Sequence, residues 1–162
     1  MLPISRNGIS IESEVEKKTN DPFGERMEEL YKCEHCISNK PEGTAATKQI
    51  TLMNISKYIV IQLKIFGYDN ITGMRFKKNP MIRIEERFHS ILLGNLNLRA
   101  VVYHVGDTID QGHYMASVKH GDTWYECNDK SIVQGVNCHP TTIPEAIVTP
   151  YLLIYEKNNA EP

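Results

Sequence analysis

From Tyr58 onward the chain is patterned in twos. Ile59, Ile61, Leu63 and Ile65 alternate with Val60, Gln62 and Lys64, which predicts a strand that ends at Phe66-Gly67. Leu98 to His104, His113 to His120, Thr123 to Cys127 and Tyr151 to Glu156 predict four further strands, the last introduced by Pro150. Residues 68–97, punctuated by Gly73, Pro80 and Gly94, show no clear period. Upstream the pattern is different. Residues 1–20 are polar and aperiodic, broken by Asn7-Gly8 and by Thr19-Asn20-Asp21-Pro22, and read as a loose lead-in. Asp21-Pro22 predicts a helix start, with Pro at the first helical position, Glu25 near the first turn, and Met27, Leu30 and Tyr31 as a short apolar stripe. A short helical turn is also expected around Pro144 to Ala146. The sum is a lead-in (1–20), a mostly antiparallel β body (21–157) and a tail (158–162), poor enough in helix to be half of an α+β fold.

Composition narrows the partners. The 162 residues are 41% hydrophobic, enough for one domain or a large piece of one. The net charge of −2 implies no basic face, so nucleic acid and anionic membrane are poor default partners. No apolar run approaches the roughly 20 residues of a membrane-spanning helix. The four cysteines, Cys33, Cys36, Cys127 and Cys138, are one close pair and two scattered residues. That is no disulfide framework, and a reducing, intracellular setting (cytoplasm or nucleus) is expected.

The stretch richest in chemistry runs from Gly112 to Asp129. Gly121-Asp122 between two alternating runs predicts a hairpin turn, with His120 facing Thr123. Counting back from that turn puts His113 and Asn128 on one face as diagonal neighbours, about 7–8 Å apart at Cα. Cys127 and Asp129 then point to the other face unless a bulge intervenes. Such a pair suits thiol hydrolysis, which needs an imidazole to take the cysteine proton and an acceptor to hold the ring through Nδ1–H. The plain alternative is a satisfied strand histidine beside a turn asparagine.

Leu98-Arg99-Ala100-Val101-Val102-Tyr103-His104-Val105-Gly106, Gly112-His113-Tyr114, Trp124, Asn128-Asp129 and Pro150-Tyr151-Leu152-Leu153-Ile154-Tyr155-Glu156 together resemble the histidine box of the ubiquitin-specific proteases. Tyr31-Lys32-Cys33-Glu34-His35-Cys36 and Tyr58-Ile59-Val60-Ile61-Gln62-Leu63-Lys64 resemble that family's second zinc-knuckle pair and the strand after it. The resemblance implies an α+β, papain-like cysteine protease fold, here mainly its antiparallel β half. It implies hydrolysis of isopeptide bonds after the last glycine of ubiquitin, with ubiquitin and ubiquitinated proteins as partners. It casts His113 as the general base, Asn128 as the third triad member and Asp129 as its support. Gln111, Gly112 and Tyr114 would border the ubiquitin tail, with Gly112 leaving room for its narrow Gly-Gly end.

Three departures from the family pattern stand out. The sequence contains no Gly-Asn-Thr-Cys nucleophile segment, so this polypeptide alone is expected to be inactive; Cys127 faces the wrong way, and Cys138 lies in the loop from Gly135 to Pro140. The family's Leu-Lys-Arg-Phe reads Leu63-Lys64-Ile65-Phe66, and Cys127 stands where Phe is usual. No cofactor is required for such chemistry. Cys33 and Cys36 have knuckle spacing for a structural zinc, but tetrahedral zinc wants four ligands, and a metal-free remnant is the competing reading. His35 is badly placed to join them, and a site completed by Cys138 and His139 would need a long chain reversal. Trp124 is expected in the core, and His89, His104, His120 and His139 in structural or solvated roles. The alternative function is a catalytically inactive ubiquitin-binding or regulatory module, and behind it an unrelated β-rich interaction domain.

Overall fold

The computed structural model describes residues 9–19, 25–27, 30–35, 39, 42–48, 54–78, 80–135, 140 and 147–158. In chain order these form β1 (Ile9–Ser10), α1 (Ile11–Thr19), β2 (Glu25–Arg26), β3 (Thr47–Lys48), β4 (Tyr58–Gln62), β5 (Phe66–Tyr68), β6 (Arg75–Lys77), β7 (Ile82–Arg83), β8 (Arg87–Ser90), β9 (Gly94–Val105), β10 (His113–His120), β11 (Thr123–Asn128), β12 (Ser131–Gln134) and β13 (Val148–Asn158). The expected Pro144 to Ala146 turn lies outside the described residues.

The main sheet runs β12-β11-β10-β9-β13-β4, with β8 also paired to β9, and every pairing is antiparallel. The last strand enters between β9 and β4, so Leu153 is flanked by Val101 and Ile61, and Tyr155 by Leu98 and Ile59. Those residues face one side of the sheet and form the core with Leu96, Tyr103 and Trp124. Leu98 and Val101 are an odd number of residues apart, which strict alternation would send to opposite faces. A bulge resolves this: Ile154 pairs Ala100 while Tyr155 pairs Leu98, leaving Arg99 as the extra residue. Arg99 then reaches Glu156 as an ion pair.

Residues 9–19 are part of the body rather than of a loose lead-in. Ile11, 2% exposed, and Val15 lie one helical turn apart on α1 and pack with Ile84, Phe88 and Leu93. Ser10 caps the helix, accepting from the Ser13 N–H at 3.4 Å, and donates to Glu85 Oε1 at 2.7 Å. Two apolar residues at that spacing among Glu and Lys make too thin a stripe to stand out from polar sequence. The helix expected from Asp21-Pro22 also gives way, because Glu25 and Arg26 pair with Lys48 and Thr47 across a ribbon that Tyr31 and Thr44 extend. Pairing with a partner more than twenty residues away outweighs a weak local preference.

Beyond β4 the chain turns a corner. The Leu63 N–H donates to Tyr151 O at 2.9 Å, and the Lys78 N–H to Ile65 O at 2.6 Å. Ile65 is 1% exposed at this corner.

Candidate active site

The hairpin turn forms at Gly121-Asp122 with the expected register, His120 opposite Thr123 and Ala116 opposite Cys127. Extending it puts Asn128 beside Met115, one diagonal step from His113 on the same face. His113 Nε2 lies 2.6 Å from Asn128 Oδ1. A carboxamide oxygen only accepts, so Nε2 carries the proton. This corrects the expectation that Nδ1 makes the bond. The diagonal gap is long, and Nε2 is the ring nitrogen farther from the backbone. With Nε2 engaged as donor, Nδ1 is the ring nitrogen that keeps its lone pair.

Asp129 has φ 51° and begins the two-residue turn into β12, in which Asn128 pairs Ser131. That left-handed conformation suits an aspartate at a tight turn. Its Oδ2 stands 3.9 Å from His113 Nε2, too far for a hydrogen bond and close enough for a charge to be felt. The carboxylate is 80% exposed, which screens it strongly.

Gly112, immediately before His113, touches the other face of the sheet. A Cβ there would sit 2.3 Å from His104 Nε2 and 2.8 Å from Val105 O. On that side the room it leaves is filled by His104. His104 is 2% exposed, edge-on to Phe66 at 5.2 Å and to Tyr114 at 5.1 Å. Burial, helped by the nearby Lys77 ammonium, pushes its pKa down and keeps the ring neutral. Its Nδ1 is buried without a hydrogen-bond partner among the described residues. Tyr114 also meets Tyr151 at 5.9 Å, on the face opposite His113 as alternation requires. Gln111 is exposed in the loop before Gly112, its N–H donating to Thr108 Oγ1 at 3.2 Å.

Sequence reasoning gave His104 a structural or solvated role and did not single out Lys77. The Lys77 ammonium donates to His104 O at 3.2 Å, Gly106 O at 2.5 Å and Ile147 O at 3.0 Å. His104 had a signal of a kind, standing directly across β9–β10 from the residue after His113. Lys77 had none, because its partners are main-chain atoms of remote segments.

Cys127 is half-buried on the face opposite His113, between Ala116 and Ile132. Cys33 is half-buried at the ribbon end, and Cys36 and Cys138 lie outside the described residues. Among the described residues no three His, Cys, Asp or Glu side chains gather as a metal site. None of the described helices is long and apolar enough to cross a membrane.

Comparison with known proteins bears on the family and the fold. Residues 6–155 match the family model of ubiquitin carboxyl-terminal hydrolase. Ubiquitin carboxyl-terminal hydrolase nonstop of Drosophila melanogaster is 30% identical over 140 residues, covering 80% of this chain and 26% of that protein. Ubiquitin carboxyl-terminal hydrolase 48 of Danio rerio is 32% identical over 111 residues, covering 63% of this chain and 10% of that protein. The chain thus spans between a tenth and about a quarter of these relatives' length. Among solved structures, the SAGA Ubp8/Sgf11/Sus1/Sgf73 DUB module bound to ubiquitin aldehyde superposes with a TM-score of 0.68 at 18% identity, over 97% of this chain and 35% of that one. The fold is papain-like, represented here mostly by antiparallel sheet.

Proposed function

Because the chain belongs to the ubiquitin carboxyl-terminal hydrolase family, as a deubiquitinase of the ubiquitin-specific kind, we propose that it supplies the base and orienter of a thiol hydrolase that cleaves isopeptide bonds after the last glycine of ubiquitin. The observation that supports this is the 2.6 Å contact between His113 Nε2 and Asn128 Oδ1. Held there, the ring turns Nδ1 toward an incoming thiol. Nδ1 takes the thiol proton, and the thiolate attacks the glycine carbonyl carbon. The C–N bond breaks, and His113 returns the proton to the departing amine. Water, deprotonated by the same nitrogen, then hydrolyses the acyl thioester and regenerates the thiol. Asn128 keeps the ring oriented without adding charge, and Asp129 assists through its field. Gln111, Gly112 and Tyr114 border the ubiquitin tail in this reading.

Ubiquitin and ubiquitinated proteins are the partners, in an intracellular setting, cytoplasm or nucleus. In this reading Cys127 is not the nucleophile, since it lies across the sheet from His113. The same observation favours the second reading, a ubiquitin-binding module that does not itself turn over. Chemistry at His113 needs no metal. Cys33 and Cys36 would give a structural zinc two thiolates, half of a tetrahedral set.

The test uses ubiquitin carrying a C-terminal fluorogenic amide. This chain, mixed with a Gly-Asn-Thr-Cys segment from one of the relatives, should release the fluorophore, and His113→Ala should abolish the release. Release that survives His113→Ala would refute the assignment. An electrophilic ubiquitin probe should leave every cysteine of this chain unlabelled.

A further inference from the structure

The loop 106–111 joins β9 to β10 and delivers Gly112 and His113. Its neck is tight: a Cβ on Gly106 (φ 136°) would stand 3.0 Å from Gln111 O and 3.1 Å from Gly112 Cα. Inside, Thr108 Oγ1 donates to Gln111 O at 3.4 Å. The neck of this loop leads directly into His113.

The grip comes from the β5–β6 hairpin. Lys77 pairs Phe66 in that hairpin, and the two residues meet His104 from different sides, Phe66 at the ring and Lys77 at the carbonyl. The same ammonium bonds Gly106 O and Ile147 O, joining the end of β9, the loop neck and the residue before β13. The Gly106 N–H donates to Ile147 O at 3.1 Å, closing the ring of contacts. An ammonium suits this place because it presents three tetrahedral donors to three converging carbonyls, which a planar guanidinium cannot match. Two residues earlier on the same face, Arg75 pairs with Asp110 at 2.9 Å at the far side of the loop. Both of those side chains are exposed, so that contact is a weak and salt-sensitive one.

We propose that Lys77 is a positioning residue for His113, a bolt through the neck of the loop 106–111 that sets where the imidazole stands, with Arg75–Asp110 as a releasable second fastening. The inference rests on the proposed function only in taking His113 as the group that is served.

Lys77→Met and Lys77→Arg in this chain test it by amide hydrogen exchange and by imidazole NMR of His113. Lys77→Met should speed exchange at residues 106–111 at least tenfold while Val101 and Leu153 stay unchanged. It should also shift the His113 ring-nitrogen signals. Lys77→Arg should fall between Lys77→Met and the native chain, and it carries the test should Lys77→Met not fold. Unchanged loop exchange overturns the proposal, as does exchange that rises equally across the sheet, or a His113 ring that keeps its native signals. These readouts need no turnover. A failure of the hydrolase assignment would show instead as fluorophore release that ignores His113→Ala.

Discussion

Two histidines sit near each other across the β9–β10 ladder in opposite circumstances. His113 is partly exposed, faces the core side at the margin of the sheet, and has a carboxamide 2.6 Å from Nε2. His104 is buried on the other face among Phe66 and Tyr114, next to the space Gly112 leaves. The first is open to solvent while its ring is held. The second stays neutral, and its contribution is shape. Histidine as a residue type carries neither role; exposure and one well-placed acceptor separate them.

The largest effect that would sharpen this contrast is at His113 itself. His113→Ala should lower ubiquitin-amide cleavage by the complemented enzyme about 100-fold or more, the scale of general acid–base catalysis, with little change in melting temperature. His104→Ala should show the reverse balance, destabilising the fold first.

Next comes the contact between the two regions. Gly112→Ala forces a Cβ to 2.3 Å from His104 Nε2, an overpacking that should cost about 1–3 kcal/mol in chemical denaturation. Adding His104→Ala should recover part of that loss, the Cβ still standing 2.8 Å from Val105 O, and additive losses would break the claim that His104 fills the space beside Gly112.

A smaller loss is expected at the orienter. Asn128→Ala should lower kcat about 10-fold, because Asp129 at 3.9 Å retains part of the hold on the protonated ring. The double change Asn128→Ala with Asp129→Ala should approach the His113→Ala level. Equal losses from Asn128→Ala and His113→Ala would speak against that assistance.

The smallest effect is a pH dependence. The His104 pKa lies below its ordinary value of 6.5, first because of burial and then because of Lys77. Below that value the unfolded chain takes up the proton more readily than the fold does. The contribution is therefore complete above about pH 6.5 and is lost as pH falls beneath it. Melting temperature should drop on acidification in that window, and His104→Phe should flatten the drop.

How much of this was legible depends on how far each determinant lies along the chain. Gly121-Asp122 sets the hairpin locally, so the shared face of His113 and Asn128 followed from counting residues. The tether of α1 was not legible, because Ile11 and Val15 show their purpose only against Ile84, Phe88 and Leu93. Glu25 and Arg26 read as helix until Lys48 and Thr47 claimed them. Arg99 could not be known as a bulge until β13 lay beside β9.

The amino-acid order by itself determined the alternating strands, the tight turn and the pairing of an imidazole with a carboxamide, because each rests on contacts within about fifteen residues. Only the tertiary structure decided which ring nitrogen Asn128 would hold, that Gly112 makes room for His104, and that Lys77 bolts the loop. Those outcomes depend on distances between segments brought together by the core, and no local period encodes them.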